Sequence, residues 1–306
     1  MTATIIDGRK MADALQEQVA AEVRALAVDG IRCGLATVAV GNDYGSRAYV
    51  TRIKRITSRL AVPHQAVTLP ADSTQEAVRD TIARLNADAS VSGVLILRPL
   101  PPHLDEAGIF QELSPAKDIE AVHPDNAGLL ALGRPRYLPS TPASVFHVLD
   151  EWLDAAGEDR ADFYHRSLIV VIGRSNNVGK PAVSLAYDRQ AAVESIDVWA
   201  SRSGRLGWHT RRADVLIVAA GVPGLIRSEH IREGAIVLDV GINPLLDPAT
   251  GRTRTVGDVD FDDVINRARA ITPVPGGIGP VTDVWLVRNT VTAARNALTI
   301  TATEPK

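Results

Sequence analysis

The chain has 306 residues, of which 33 are Lys or Arg and 36 are Asp or Glu, giving a formal net charge of −3. That length admits two domains, and the slight acidity excludes the basic footprint of a nucleic-acid binder. A single cysteine, Cys33, excludes an internal disulfide or a cysteine metal cluster, and no run of about 18 apolar residues is present to span a membrane.

The expectation is therefore a globular, cytoplasmic protein with neither a nucleic-acid nor a membrane partner. The start, Met1 to Asp7, lacks a basic-then-apolar signal pattern. From Lys10 to Ala27, Met11, Leu15, Val19, Val23 and Leu26 recur at the 3–4 spacing of an amphipathic helix. Leu35 to Val40 reads as a strand ending at Gly41, and a helix is expected from Ser46 to about Leu60. Ala66 to Leu69 can form a short strand. Ser73-Thr74-Gln75-Glu76 matches a capping box, with Ser73 as N-cap of a helix that buries Val78, Ile82 and Leu85. Val91 to Leu97 reads as the next strand, stopped by Arg98-Pro99-Leu100-Pro101-Pro102.

Leu113 to Pro142 is rich in Pro, Gly and Asp and is expected to be loop. Thr141-Pro142 then reads as a helix start, hydroxyl cap followed by proline. Ala155 to Arg166 is polar, as in a surface insertion or linker. Leu168 to Ile172 is a β-branched run without alternation, as expected of a parallel strand covered on both faces. It leads into Gly173-Arg174-Ser175-Asn176-Asn177-Val178-Gly179-Lys180-Pro181, a glycine-bounded turn with a helix starting near Pro181. A helix N-terminus presents unpaired N–H groups and a positive dipole end, which suits a pyrophosphate. Only two glycines are present, so this is not the full G-x-G-x-x-G pattern.

Ser195 to Trp199, Val215 to Ala219 and Ile236 to Val240 read as further strands separated by helix-length segments. Such βαβ alternation implies a mostly parallel sheet. Thr272 to Pro280 reads as a Pro/Gly loop and Asp283 to Leu298 as a closing helix. The second strand of this sheet is expected to end at Trp199-Ala200-Ser201-Arg202-Ser203, so its tip carries no carboxylate. With Arg174 nearby it would favour the 2′-phosphate of NADP over the bare ribose of NAD. His123 reads as a structural hydrogen-bonder and Lys180 as a solvated residue outside any P-loop frame. No His/Cys/carboxylate spacing suggests a metal.

Three stretches are specific in combination: Gly173-Arg174-Ser175-x-x-Val178-Gly179-x-Pro181, Asp239-Val240-Gly241-Ile242-Asn243, and Thr272-Pro273-Val274-Pro275-Gly276-Gly277-Ile278-Gly279-Pro280. They resemble the bifunctional methylenetetrahydrofolate dehydrogenase/methenyltetrahydrofolate cyclohydrolase family, the FolD type. The resemblance extends to Ile6-Asp7-Gly8, Val40-Gly41, Ser46-x-x-Tyr49-Val50, Pro99-Leu100-Pro101, Pro115-Ala116-Lys117-Asp118, His123-Pro124 and Thr141-Pro142. It implies two α/β lobes, residues 1–145 plus 283–306 as the catalytic domain and 146–282 as a Rossmann-type NAD(P)-binding domain. The C-terminal helix would return to the first lobe. It further implies a homodimer with NADP as cofactor and a tetrahydrofolate substrate in an interdomain cleft. Gly173, Arg174, Ser175, Ser201 and Ile242 would then bind NADP. Ser46, Tyr49, Arg98, Glu120, Pro275, Gly276 and Gly277 would contact substrate.

The chain departs from the family pattern where protons are handled. The family places a catalytic lysine four residues after the tyrosine, about 40° around the helix and so on the same face. Here that position is Ile53; Lys54 follows, about 100° further round. The glutamine expected before Pro-Leu-Pro is replaced by Leu97-Arg98. Glu120 stands where the family has an aspartate, and Asp283 where it has an apolar residue. The resemblance leaves Tyr49, Lys54 and Glu120 as catalytic candidates. It also implies that cyclohydrolase activity is weak or lost while the dehydrogenase survives. The alternatives are a scaffold re-purposed for another folate or an imine-type compound, and a non-catalytic NADP- or folate-binding paralogue.

Overall fold

A computed structural model describes residues 2–246, 251 and 253–303, with side chains described as far as residue 297. The chain divides into two compact units, residues 14–140 with 283–306 and residues 1–13 with 141–282. Strand β1 (Thr4–Ile5) and the first residues of helix α1 (Gly8–Val28) belong to the second of these. This differs from the expected bounds, which placed residues 1–13 with the N-terminal lobe. β1 hydrogen-bonds a strand 266 residues later in the pairing Thr4↔Ala270, and no local pattern announces such a partner.

The first unit is built on β2 (Leu35–Val40), α2 (Tyr44–Arg59), β3 (His64–Leu69), α3 (Gln75–Ala87) and β4 (Gly93–Ile96). The three strands form a parallel sheet in the order β3-β2-β4. β2 is buried at every position, which explains its unbroken apolar run. Val38, Val40, Val78, Ile82, Val94 and Ile96 pack into one core cluster with Ile109 and Phe110. The last two sit on α4 (Glu106–Glu112), and α5 (Pro124–Ala131) follows it. Thus the stretch expected to be loop from Leu113 to Pro142 contains a helix, opened by Pro124 and capped by His123, whose Nδ1 accepts from Asp125 N at 3.1 Å. The cap of α3 is Thr74 rather than Ser73: Thr74 Oγ1 accepts from Ala77 N, while Ser73 N donates to Pro70 O.

The second unit continues with α6 (Ser140–Ala155), α7 (Arg160–Arg166), β5 (Leu168–Ile172), α8 (Gly179–Asp188), β6 (Ala192–Ile196), α9 (Val198–Arg202), α10 (Leu206–Thr210) and β7 (Val215–Val218). It is completed by β8 (Ile236–Asp239), β9 (Asn243–Leu246), β10 (Thr253–Val256), α11 (Phe261–Val264) and β11 (Ala270–Ile271). Six strands form one parallel sheet in the order β1-β11-β8-β7-β5-β6, and β9 pairs antiparallel with β10. The crossover between β5 and β6 runs outward while that from β6 to β7 returns past β5. This is the strand-order reversal at which open α/β sheets bind ligands.

Four expectations change in this unit. Residues 155–166 are not a polar linker: α7 buries Phe163 and Tyr164, and the Tyr164 hydroxyl donates to Asp150 Oδ1 at 2.6 Å. Helix α6 begins at Ser140, so Pro142 lies inside its first turn, where a missing N–H costs nothing. The second strand spans Ala192–Ile196 and not Ser195–Trp199, because Ile172 pairs with Ile196 and α9 starts two residues later. The final helix, α12 (Ile278–Thr303), starts five residues earlier than expected. Within the first unit its Asn289 Nδ2 donates to the carbonyls of Ile119 and Leu138 at 2.8 and 2.7 Å, so the C-terminal segment does return to that lobe.

Candidate functional site

In the first unit the site grows from the N-terminal half of α2. Asp43 caps this helix, its Oδ2 accepting from Ser46 N at 2.8 Å, and the Ser46 hydroxyl donates to Arg98 O at 3.3 Å. Those two bonds set the helix against the segment that follows β4. One turn on, the Arg52 guanidinium carbon lies 5.0 Å from the Tyr49 ring centroid, and Arg52 Nη2 donates to Asp283 Oδ1 at 3.0 Å. The cation beside Tyr49 is therefore a paired arginine. Burial, then the charges of Glu120 and Asp283, push the Tyr49 phenol well above its usual range, so it stays protonated.

Ile53 is 0% exposed and Leu97 4%, so both positions at which the resemblance noted above leads one to expect lysine and glutamine hold core side chains. Lys54 is exposed and lies toward His64 of β3, whose imidazole is depressed by burial first and by the Lys54 charge second. The structure does not bring Lys54 to Tyr49, as its extra 100° of helix rotation requires. Arg98 is held by other partners, although its charge still acts on Glu120. Its Nε donates to Glu106 Oε1 at 3.0 Å, and its guanidinium stacks 4.3 Å from the Phe110 ring centroid.

Glu120 does belong to the Tyr49 group. Its Oε1 accepts from Ser140 N at 3.2 Å, and burial raises its carboxyl to about 7 against the opposing pull of that bond. The preceding Asp118 is fully buried and accepts from Val122 N, His123 N and Asn126 Nδ2, which fixes the turn that presents Glu120. A carboxyl whose folded value is raised favours the fold when protonated. That contribution is complete below its ordinary value near 4.5 and is lost as pH rises through about 7. Glu120→Gln is thus expected to flatten part of the stability profile. Urea midpoints of wild type and variant should diverge between about pH 5 and 8, wild type losing more as pH rises. Asp239, also raised to about 7, bends both curves alike. Parallel curves would show that Glu120 titrates as an ordinary carboxyl.

In the second unit the turn after β5 is Cβ-free where it must be. A methyl group on Gly173 would lie 2.1 Å from Ala219 O, and one on Gly179 would lie 2.0 Å from Gly173 O. Ser175 stabilises the turn, its hydroxyl accepting from Val178 N at 3.2 Å and its carbonyl from Lys180 N at 3.1 Å. This cradle at the N-terminus of α8 fits a dinucleotide pyrophosphate. Arg174 is exposed beside it, whereas Ser201 lies within α9, beyond the strand tip. Ile242 is 57% exposed at the end of the β8 loop, and Pro275 is exposed while Gly276 and Gly277 are buried.

Sequence reasoning missed two features. The strand tip after β6 is Asp197, a carboxylate, ion-paired to Arg174 at 3.0 Å. The Asp239 motif is a structural clasp: Asp239 accepts from Gly241 N, Asp258 N and Val259 N, while Asp258 accepts from Ala220 N, Gly221 N and Asn243 Nδ2. The acidic residue after an apolar strand was a visible signal for the second feature. For the first, the signal was the Asx-type cap ahead of Val198.

A parallel sheet with a glycine cradle at its switch point, joined to a smaller α/β unit carrying a tyrosine–carboxylate group, defines a dinucleotide-binding enzyme scaffold. Residues 6–120 match the catalytic-domain model of tetrahydrofolate dehydrogenase/cyclohydrolase, and residues 139–298 match its NAD(P)-binding-domain model. The chain belongs to the tetrahydrofolate dehydrogenase/cyclohydrolase family. It is 56% identical over 296 residues to bifunctional protein FolD 3 of Rubrobacter xylanophilus, covering 96% of this chain and 93% of that one. The crystal structure of the FolD bifunctional enzyme from Campylobacter jejuni superposes with a TM-score of 0.87 at 35% identity, covering 96% of this chain and 99% of that one. A FolD from Trypanosoma brucei, solved with NADP and an inhibitor, gives a TM-score of 0.87 at 34% identity, covering 97% and 99%.

Proposed function

We propose that this protein oxidises 5,10-methylenetetrahydrofolate to the 5,10-methenyl cation with NADP as hydride acceptor, and that it hydrolyses the cation to 10-formyltetrahydrofolate only weakly. Family membership and the open glycine cradle support the first half. The second half rests on one observation: Ile53, fully buried, occupies the helix position from which a lysine would face the substrate.

The two reactions make different demands on the chain. Removing a hydride from the methylene carbon requires the donor to be held at the acceptor ring, and alignment alone can lower the barrier by several kcal/mol. When bound, NADP supplies that ring; Gly173, Gly179 and Ser175 shape the turn that would hold its pyrophosphate. The product is an amidinium cation, and the carboxyl groups of Glu120 and Asp283, both grouped with Tyr49, offset its charge.

Hydrolysis instead needs a proton taken from water and another delivered to the leaving nitrogen, worth about 10²–10⁴-fold when side chains are placed for it. Arg52 stays charged and cannot accept a proton. Tyr49 holds its own proton too tightly to act as a base. Glu120, half-protonated near neutral pH, is the remaining group for a residual activity.

A two-signal assay with methylenetetrahydrofolate and NADP tests both halves. NADPH and the methenyl absorbance should rise together, with the methenyl band decaying little faster than in buffer. NADP binding without folate turnover would instead favour a re-purposed substrate site, a reading for which the Arg52–Asp283 pair is the supporting observation. A cytoplasmic homodimer belongs to the same proposal by family resemblance. Light scattering at the mass of one chain would contradict the dimer.

A further inference from the structure

Asp197 directly follows Ile196, the last residue of β6, and Ile196 O accepts from Gly173 N at 3.0 Å. The strand tip and the glycine turn are therefore hydrogen-bonded neighbours at the sheet's switch point. In dinucleotide folds this tip faces the adenosine ribose. A carboxylate there accepts hydrogen bonds from the free hydroxyls of NAD, whereas NADP needs a cation or hydroxyl cluster for its 2′-phosphate. We infer that Asp197 is a selectivity residue for the ribose of the cofactor, and that through it the protein accepts NAD beside NADP. The inference rests on the dehydrogenase reading above.

The surrounding contacts support this role. Asp197 Oδ1 accepts from Trp199 N at 3.0 Å, capping α9, and Oδ2 accepts from Arg174 Nη1 at 3.0 Å. A carboxylate has about four acceptor sites, so two such bonds leave capacity for the ribose hydroxyls. The side chain is 30% exposed, within reach of a ligand. Arg174 is the cation that the family resemblance assigns to NADP. Here it is doubly engaged, its Nη2 donating to Ser195 O at 2.6 Å. Arg202, a second basic residue at this end, has its guanidinium 5.1 Å from the Trp199 ring centroid. A 2′-phosphate, carrying about −1.5 to −2 charges, must compete with Asp197 for Arg174 and bear its repulsion. NAD meets neither obstacle.

The test is calorimetric titration of the full chain, without folate, using NADP⁺ and NAD⁺ separately. Asp197→Asn removes the charge while keeping a side chain that caps helices well, so the fold is retained. Wild type should bind both cofactors. Asp197→Asn should shift the ratio of affinities toward NADP⁺ by about tenfold or more, the scale of one charge-assisted contact. Asp197→Ser, also a good cap, should shift it the same way. An unchanged ratio, a shift toward NAD⁺, or no measurable NAD⁺ binding by wild type overturns the inference while leaving the dehydrogenase reading intact. Failure of wild type to bind either cofactor overturns both. A merely structural cap would change the melting temperature without changing the ratio.

Discussion

Ile53→Lys combined with Leu97→Gln is expected to raise the rate of methenyl hydrolysis by roughly 10²-fold, the lower end of what positioned proton transfer contributes. Position 53 lies one helical turn beyond Tyr49, so a side chain there starts on the tyrosine's face. Ile53 is fully buried, and an ammonium placed there loses hydration, which pulls its proton affinity down toward neutral pH. That shift is what a base acting near pH 7 requires. Asp283 and Glu120 already raise the Tyr49 phenol by their charge and would partner the incoming cation. Glutamine at 97 would add a donor and an acceptor where Leu97 has none.

The readout is methenyl decay, with dehydrogenase turnover on the same sample as the internal control. Turnover should persist because neither substitution touches the glycine cradle. Persistent turnover without faster decay would show that the missing lysine is not what limits hydrolysis. Lys54→Ala is the complementary control, and its exposed position predicts no change in either rate.

The contrast between Ile53 and Lys54 came from the family resemblance read through helix periodicity, since one residue of offset moves a side chain to a different face. β2, β5 and β7 were legible for a related reason: strands buried on both sides read as unbroken apolar runs. β6 sits at the sheet's edge and includes Glu194 and Ser195, so its apolar signal was weak and its end was misplaced by three residues. That displacement hid Asp197. Helix α7 escaped because its two buried aromatics are adjacent, Phe163 and Tyr164, rather than spaced along one face. The Arg52–Asp283 pair links residues 231 apart, and no local pattern can supply a contact of that range, although Asp283 was visible as an anomaly. The β1–β11 pairing was illegible for the same reason, its partners lying 266 residues apart.

Gly173→Ala is expected to cost about 3–5 kcal/mol and to abolish dinucleotide binding. Two penalties combine: a left-handed backbone for an L-residue and overpacking, each about 1–3 kcal/mol. Gly173 has φ +109°, and a methyl group would sit 2.1 Å from Ala219 O, on the segment leaving β7. Relief by moving that segment is opposed by the Ala219 N to Ile172 O bond at 2.8 Å, which ties β5 to β7. Gly204 separates the two penalties. It has φ +69° with nothing within 4 Å of an added methyl group, so Gly204→Ala carries only the backbone cost, about 1–2 kcal/mol. By calorimetry the Gly173 variant should melt roughly 10 °C lower and the Gly204 variant by a few degrees, at about 2–4 °C per kcal/mol for a domain of this size. The Gly204 variant should still bind NADP⁺. Equal losses in the two variants would mean that backbone conformation alone, and not the close approach of β5 and β7, demands glycine at the head of the turn.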